Sequence, residues 1–549
     1  MAEAPAEGAT ITPPSRMGGL AIAAAIVAFG FVGSRLLGIV RSIVIADQFG
    51  TSADYEAYVV AFRLPDLIFQ VLAGATLGSA FIPVFARIYR RESVDEAWAL
   101  ASKVIVLVTA ATAVLCVVAF ILAPWLVPLT APGIENEGKA VFLTRVMLLS
   151  PLLFAVSGML TGILNARQQF LLPALAPMLY NLAIIFGALV LAERWGINGL
   201  AIGVVAGAAL HLAVQVPGVV RERMKFRPTF DWADARVREV GRLMGPRVIG
   251  LAAAQLNFVI TIYFASKLGS TYVGGLSYAW TLATLPLALF GMALSTAAFP
   301  RLADNVADGD LETVRVTIAR VFRAIMFLTI PASLGLAILA EPVTAMLLQR
   351  GEFTAFDTEV TAGALMFYSL GIIPQAGIEI HSRAFYAVGD TRTPVIFAVL
   401  AMFVNLVIAA MVWDVWEADG LALAVSTAAW IEWVLLYIFY VRRLDAAPLA
   451  GLAAISRFAF CGATMALFLA LAFAAFDPEG VVDQGAIAIC GALAGAAVYA
   501  GMARWLKVNE LEEATQQLRR GWRRGDVETD PERQDATAIS ESEQGTLNI

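Results

Sequence analysis

The 549-residue chain has little of what catalysis or metal binding needs. It holds two histidines, His211 and His381, far apart in sequence, so no metal site is expected. It holds three cysteines, Cys116, Cys461 and Cys490, each inside an apolar run and without a pairing pattern. They read as small core hydrophobes, which excludes a disulfide framework. No P-loop, HExxH, GxSxG or Cys/His cluster occurs. An ATP-driven pump and a membrane enzyme are thereby disfavoured, and no cofactor is expected. Charge is also scarce: 15% of residues are Asp, Glu, Lys or Arg, against about a quarter in soluble domains. The formal charge of −6 lies largely in the C-terminal tail, and no nucleic-acid partner is expected.

What the chain has is apolar length. It is 59% hydrophobic, with mean hydropathy +0.76. Long apolar runs alternate with short polar breaks, which indicates helices rather than the ten-residue dyad-patterned strands of a barrel. The expected fold is an all-α polytopic membrane protein of about fourteen spans. Their centres fall near Val32, Phe69, Ala113, Pro151, Ile185, Val205, Leu251, Leu287, Leu328, Tyr368, Phe403, Ala429, Ala466 and Ala492. Basic residues gather in the connections after even-numbered spans, as at Arg87, Arg90, Arg91, Arg221, Arg223, Arg392, Arg442 and Arg443. The positive-inside rule then places both termini in the cytoplasm.

The sequence repeats itself. Gly74, Leu77 and Pro83 return as Gly291, Leu294 and Pro300, and Leu122-Ala123 as Leu339-Ala340, all 217 positions on. Phe49-Gly50-Thr51 is echoed by Leu268-Gly269-Ser270. Two pseudo-symmetric six-helix lobes with an axis along the membrane normal follow, plus two C-terminal helices. The expected boundaries are a disordered tail 1–16, an N-lobe 17–227, a C-lobe 228–444, two further spans in 445–507, and 508–549. That last segment reads as an interfacial helix carrying Arg519, Arg520, Arg523 and Arg524, then a disordered acidic tail.

The candidate site lies in the first span, Gly33-Ser34-Arg35-Leu36-Leu37-Gly38-Ile39-Val40-Arg41. An arginine at bilayer depth costs roughly 2.5–3.5 kcal/mol on insertion scales, so two within one span call for an internal anion or water. Guanidinium suits a phosphate, giving bidentate contacts at a fixed charge. The competing account is internal pairing with Asp47, Glu56 or Asp66. Further charges that could border a cavity are Glu56, Arg63, Asp66 and Arg247. Glu379, four residues before Arg383, and the lone Glu432 are candidates for ion coupling; for Glu379 an i,i+4 pair with Arg383 is the simpler account.

Several motifs resemble the MurJ/MviN family of lipid II flippases, within the superfamily that includes multidrug extruders. They are Ser34-Arg35-Leu36-Leu37-Gly38 with Arg41, Phe62-Arg63-Leu64-Pro65-Asp66, Ala80-Phe81-Ile82-Pro83 and Thr130-Ala131-Pro132-Gly133. Further along come Pro173-Ala174-Leu175-Ala176-Pro177, Met244-Gly245-Pro246, Phe353-Thr354-Ala355-Phe356-Asp357 and Asp390-Thr391-Arg392-Thr393-Pro394. The resemblance implies two lobes with a lipid-facing groove on the last two helices. It implies transfer of a polyprenyl-diphosphate-linked disaccharide-pentapeptide across the bacterial inner membrane, with Ser34, Arg35 and Arg41 at the diphosphate. A monomer among membrane lipids, working beside cell-wall synthesis proteins, is the expected assembly. The chain departs from the family at Phe69-Gln70 and at Trp280-Thr281, where the family carries cavity arginines. These losses keep two alternatives in view: a polysaccharide or multidrug exporter of the same superfamily, and a non-transporting envelope scaffold.

Overall fold

The computed structural model describes residues 16–72, 75–444, 452–474 and 480–512. Among these every regular element is a helix, with no strand. The N-terminal half runs α1 (Arg16–Phe49), α2 (Ala53–Leu72), α3 (Ala75–Arg91), α4 (Val94–Thr130), α5 (Glu137–Met147), α6 (Leu149–Ala166), α7 (Leu171–Phe186), α8 (Ala192–Trp195), α9 (Ile197–Ala213) and α10 (Val216–Arg221). The C-terminal half runs α11 (Ala235–Ala265), α12 (Ser270–Pro286), α13 (Ala293–Ala307), α14 (Leu311–Ile338), α15 (Ala340–Leu348), α16 (Ala355–Leu370), α17 (Ile372–Ala387), α18 (Arg392–Val412) and α19 (Glu417–Leu444). Two helices follow, α20 (Leu452–Ala474) and α21 (Val481–Trp505). The expected N-terminal tail up to Ser15, and the expected interfacial helix and acidic tail beyond Glu512, lie outside the described residues, as does Gly74 of the repeat.

Eleven of the described helical segments are long and apolar enough to span a membrane, or twelve if α16 and α17, bent by 41°, count as one. That falls short of the fourteen expected from sequence. The two shortfalls are the rods centred near Phe69 and Leu251. The first, α2, carries Asp54, Glu56, Arg63 and Asp66 within 20 residues. The second, α11, opens with Arg236, Arg238, Glu239 and Arg242, and most side chains of 243–254 lie outside the described residues, so Gln255–Ala265 alone counts as an apolar helix. Charge, not shortness, removes α2 from the count, and both helices border the central cavity.

The two halves pack their helices in a matching order. α1 lies on α7 as α11 lies on α18, α7 on α9 as α18 on α19, and α4 on α6 as α14 on α17. α20 and α21 pack on each other and on α14 and α15. Large apolar side chains remain exposed on outward faces, such as Val114, Val117 and Ile121 of α4 and Leu467 and Leu471 of α20. In an aqueous protein such a surface would demand a partner; here it is the face offered to lipid.

The face poor in basic residues is sealed by backbone. Gly50, at the end of α1, and Gly351, in the turn before α16, both have positive φ, +53° and +54°. A Cβ on Gly50 would stand 2.3 Å from the Glu352 carbonyl oxygen, and one on Gly351 would stand 2.2 Å from that of Asp47. The two turns interlock, and the Glu352 N–H donates to the Asp47 carbonyl at 2.9 Å. Thr51 donates to Asp357, whose other oxygen accepts from the Thr354 N–H in the capping box of α16. Tyr278 donates to the Gly50 carbonyl at 3.2 Å and stacks on Tyr55 at 4.7 Å. Alongside, Gly133 lies so close to Ser266 that a Cβ would meet its carbonyl oxygen at 2.0 Å.

The basic face is held differently. There the halves meet through ion pairs, exposed at Arg87–Glu239 (2.6 Å) and Arg236–Glu96 (2.6 Å) and half-buried where Lys103 meets Asp231 and Asp234 at 2.8 Å each. Exposed pairs contribute about 0–1 kcal/mol apiece, so this face opens at lower cost than the interlocked one.

Candidate functional site: a cationic cavity between the halves

A cavity of about 720 Å³ lies between the halves. α1, α2 and α7 line it from one side, and α11 and α12 from the other. Ser34, Arg35, Arg41, Arg63 and Asp66 all reach it. Arg35 and Arg41 stand six residues apart, about 120° round the helix, and both border this one wide space.

None of the three arginines has an acidic partner within ion-pair distance among the described residues. Arg35 approaches only the ring of Phe31, at 5.6 Å. Asp47, one of the expected partners, accepts instead from Gln48 at 3.1 Å. Arg63 lies over the ring of Phe258 at 5.1 Å, and its Nε has no hydrogen-bond partner. Arg63 and Asp66 do not pair, although three residues apart; Asp66 accepts a long 3.5 Å bond from Gln70. Among the described residues, three guanidinium groups against one carboxylate leave the cavity lining net positive by two. In a low-dielectric enclosure, unpaired cations attract an anion far more strongly than in water.

The remaining candidates lie elsewhere. Glu56 is fully buried in the sealed face, where Oε2 accepts the Glu135 N–H at 3.1 Å and so holds the turn after α4. Glu379 is paired with Arg383, which also donates to Thr296 Oγ1 at 3.0 Å. Glu432, on α19, does not border the cavity and has no partner among the described residues. Arg247 is on α11, but its side chain lies outside the described residues.

Sequence reasoning passed over three polar or aromatic liners, Tyr180, Asn181 and Gln255; Gln70, beside a place where the resembling family carries arginine, lines the cavity too. Asn181 Nδ2 donates to the Ser34 carbonyl at 3.3 Å and to its Oγ at 3.4 Å, tying α7 to the arginine-bearing turn of α1. The available signal was an asparagine alone in the apolar run Leu171–Phe186. Trp280 and Thr281, where the resembling family carries charge, line the same cavity opposite Arg63.

Two packed helical halves around a cationic hollow, with lipid-facing apolar exteriors, define a multi-span membrane transporter. The family model described as Lipid II flippase MurJ matches residues 45–489. The Lipid II flippase MurJ of Burkholderia cenocepacia is 31% identical over 420 residues, 75% of this chain and 81% of that protein. The probable lipid II flippase MurJ of Rhizobium meliloti is 29% identical over 518 residues, 90% of this chain and 96% of that one. The chain therefore belongs to the MurJ lipid II flippase family. A solved lipid II flippase MurJ in its inward closed conformation superposes with TM-score 0.74 at 23% identity, covering 88% of this chain and 99% of that one. A multidrug resistance MATE transporter of the MOP superfamily, inward-facing, superposes with TM-score 0.62 at 15% identity, covering 75% and 94%. The family match begins at Ile45, so Arg35 and Arg41 precede it.

Proposed function

We propose that this chain is a flippase that carries lipid II, a polyprenyl-diphosphate-linked peptidoglycan precursor, from the inner to the outer leaflet of the bacterial cytoplasmic membrane. The carrying observation is the trio Arg35, Arg41 and Arg63 around one cavity without a single ion pair among the described residues. A diphosphate supplies the missing anion, and the guanidinium forks offset its desolvation. Ser34, held by Asn181, adds a hydroxyl donor beside Arg35. Family membership supports lipid II over the other cargoes of the superfamily, so the drug and polysaccharide exporter readings are not favoured.

The mechanism is alternating access between residues 17–227 and 228–444. The basic face, closed by ion pairs, faces the cytoplasm with both termini. It opens to admit the head group, while the polyprenyl chain stays in lipid along α20 and α21. The head group then leaves through the Gly50–Gly351 face when that interlock parts. An inside-negative potential contributes about 2.3 kcal/mol per charge per 100 mV toward outward movement of an anion. Glu379 is neutralised within its own helix and Glu432 is remote from the cavity, so coupling through either is not part of this reading. One chain supplies every residue of the cavity, and it acts as a monomer.

The test is depletion of the resident flippase in a bacterial host, with rescue by this gene and by Arg35→Ala, Arg41→Ala and Arg63→Ala. Rescue by the parent and failure by the Arg35 and Arg41 variants is the expected result. Rescue by every variant at normal expression would overturn the arginine mechanism.

A further inference from the structure

The central cavity has two unlike walls. Every charged liner among the described residues belongs to α1 or α2. The wall from α11 and α12 carries none: its side chains are Gln255, Phe258, Trp280, Thr281, Thr284 and Leu285. A diphosphate held by Arg35, Arg41 and Arg63 leaves that second wall without a ligand.

The hydrogen-bonding groups there define what it takes. Thr281 donates its hydroxyl hydrogen to the Ser277 carbonyl at 3.0 Å, and Thr284 donates to the Thr281 carbonyl at 3.1 Å. Both hydrogens are spent within the helix, so each hydroxyl oxygen offers only lone pairs to the cavity. Such acceptors repel a phosphate and suit a ligand rich in O–H donors. Gln255, on the same wall, can donate or accept.

Trp280 supplies the complementary donor. The indole is half-buried and stands edge-to-face with Phe258 at 5.1 Å and with Tyr368 at 5.3 Å, which fixes its ring. Its Nε1–H has no partner among the described residues, and it is not closed off from the surface as that of Trp433 is. Phe258 also carries Arg63, whose guanidinium lies 5.1 Å from the ring centre. A single ring therefore separates the arginine from the indole. Whatever is bonded to a diphosphate at Arg63 comes next to Trp280.

We propose that this wall is a platform for the sugar joined to the diphosphate, an N-acetylhexosamine. The pyranose packs its apolar C–H side against the indole. Trp280 Nε1–H donates to the acetamido carbonyl, and sugar hydroxyls donate to Thr281 and Thr284. A complete head group then spans both halves, whereas a bare diphosphate engages the cations of one. The assignment rests on the flippase reading and deepens it where this chain departs from the resembling family, with neutral Trp280 and Thr281 in place of charge.

The experiment uses the full chain in maltoside micelles and isothermal titration with two ligands, farnesyl diphosphate and farnesyl-diphosphoryl-N-acetylglucosamine. The prenyl group is common to both, so only the sugar differs. The sugar conjugate should bind about tenfold tighter, the scale of one aromatic contact with a few hydrogen bonds. Trp280→Ala should bring the ratio of the two affinities close to one. Trp280→Phe, which keeps a ring but not the N–H, should leave a ratio between those of Trp280→Ala and the parent. Thermal unfolding shows that each variant is folded. Equal affinities in the parent, or a ratio unchanged in Trp280→Ala, overturns the platform; the arginine site still stands if Arg35→Ala weakens both ligands. A parent chain that binds neither ligand overturns the flippase reading and the platform with it.

Discussion

Asn405 donates from Nδ2 to Oδ1 of Asn257 at 3.1 Å, joining α18 to α11. In the other half Asn181 joins α7 to α1 at Ser34. The same pair of helices is thus pinned by a buried asparagine in each repeat, although the acceptors differ. The C-terminal bridge only holds helices together, whereas the N-terminal one also orients the turn that carries Arg35.

The two bridges should therefore separate stability from activity. Asn405→Leu is expected to lower stability by about 0.6–1.7 kcal/mol, the range for interhelical hydrogen bonds in membranes, while rescue of a depleted host persists. Asn181→Leu should cost a similar amount of stability and abolish rescue. Thermal unfolding in detergent beside the growth assay distinguishes them; equal growth defects would break the distinction.

The interlocked glycines predict a conformational effect. Gly351→Ala sets a Cβ at a φ of +54° against Asp47, whose nearest atom is the backbone carbonyl oxygen and cannot swing away. Strain at such a position is of order 1–3 kcal/mol and falls only on the closed state of this face. A cysteine placed at Thr284, in a background without Cys116, Cys461 and Cys490, should react faster with an impermeant maleimide added on that side. Unchanged labelling would mean that the interlock does not control access.

The substitution of threonine for charge in the cavity can be reversed. Thr281→Arg adds a fourth guanidinium opposite Arg63. Binding of inorganic diphosphate to the purified protein should tighten by about tenfold, with a steeper salt dependence, since a charged hydrogen bond contributes about 1.5–3 kcal/mol. Turnover should not rise in step, because release becomes harder. Unaltered diphosphate affinity would place the anion elsewhere.

A pH effect is expected at the basic face. The hydrogen bond from Lys103 holds the Asp231 carboxyl below its ordinary value. Asp234, which burial alone would push up, is brought below its ordinary value by Lys103 and the backbone N–H of Arg236. A carboxyl depressed by folding contributes stability above its unfolded value, and that contribution disappears as pH falls through the folded one. The connection 222–234 should stay protected from hydrogen exchange at pH 5 and become exposed below about pH 4. Lys103→Met should remove that difference.

Much of this was legible from sequence. Arg35 and Arg41 stand out because charge at bilayer depth is costly, and the apolar periodicity marks the helical rods. Glu56 was misleading for the opposite reason: its place before the second span resembles a cavity rim, yet it holds a turn through Glu135. The Arg63–Asp66 spacing allows a pair that the fold does not make, since Phe258 takes the guanidinium face. The glycine interlock was invisible because a positive φ is set by the neighbour across the interface. The span count fell short at α2 because apolar length underrates a helix whose charge is turned inward.

That inward charge bears on how the polypeptide is made. α2, with four ionisable residues in 20, is a poor candidate for spontaneous partition from the translocon, at roughly 2.5–3.5 kcal/mol per central charge. It follows the strongly apolar α1, which can hold it in place until a partner helix covers it. Biogenesis of the N-terminal half should thus be ordered, with the helix that lines the cavity the last to leave the insertion machinery.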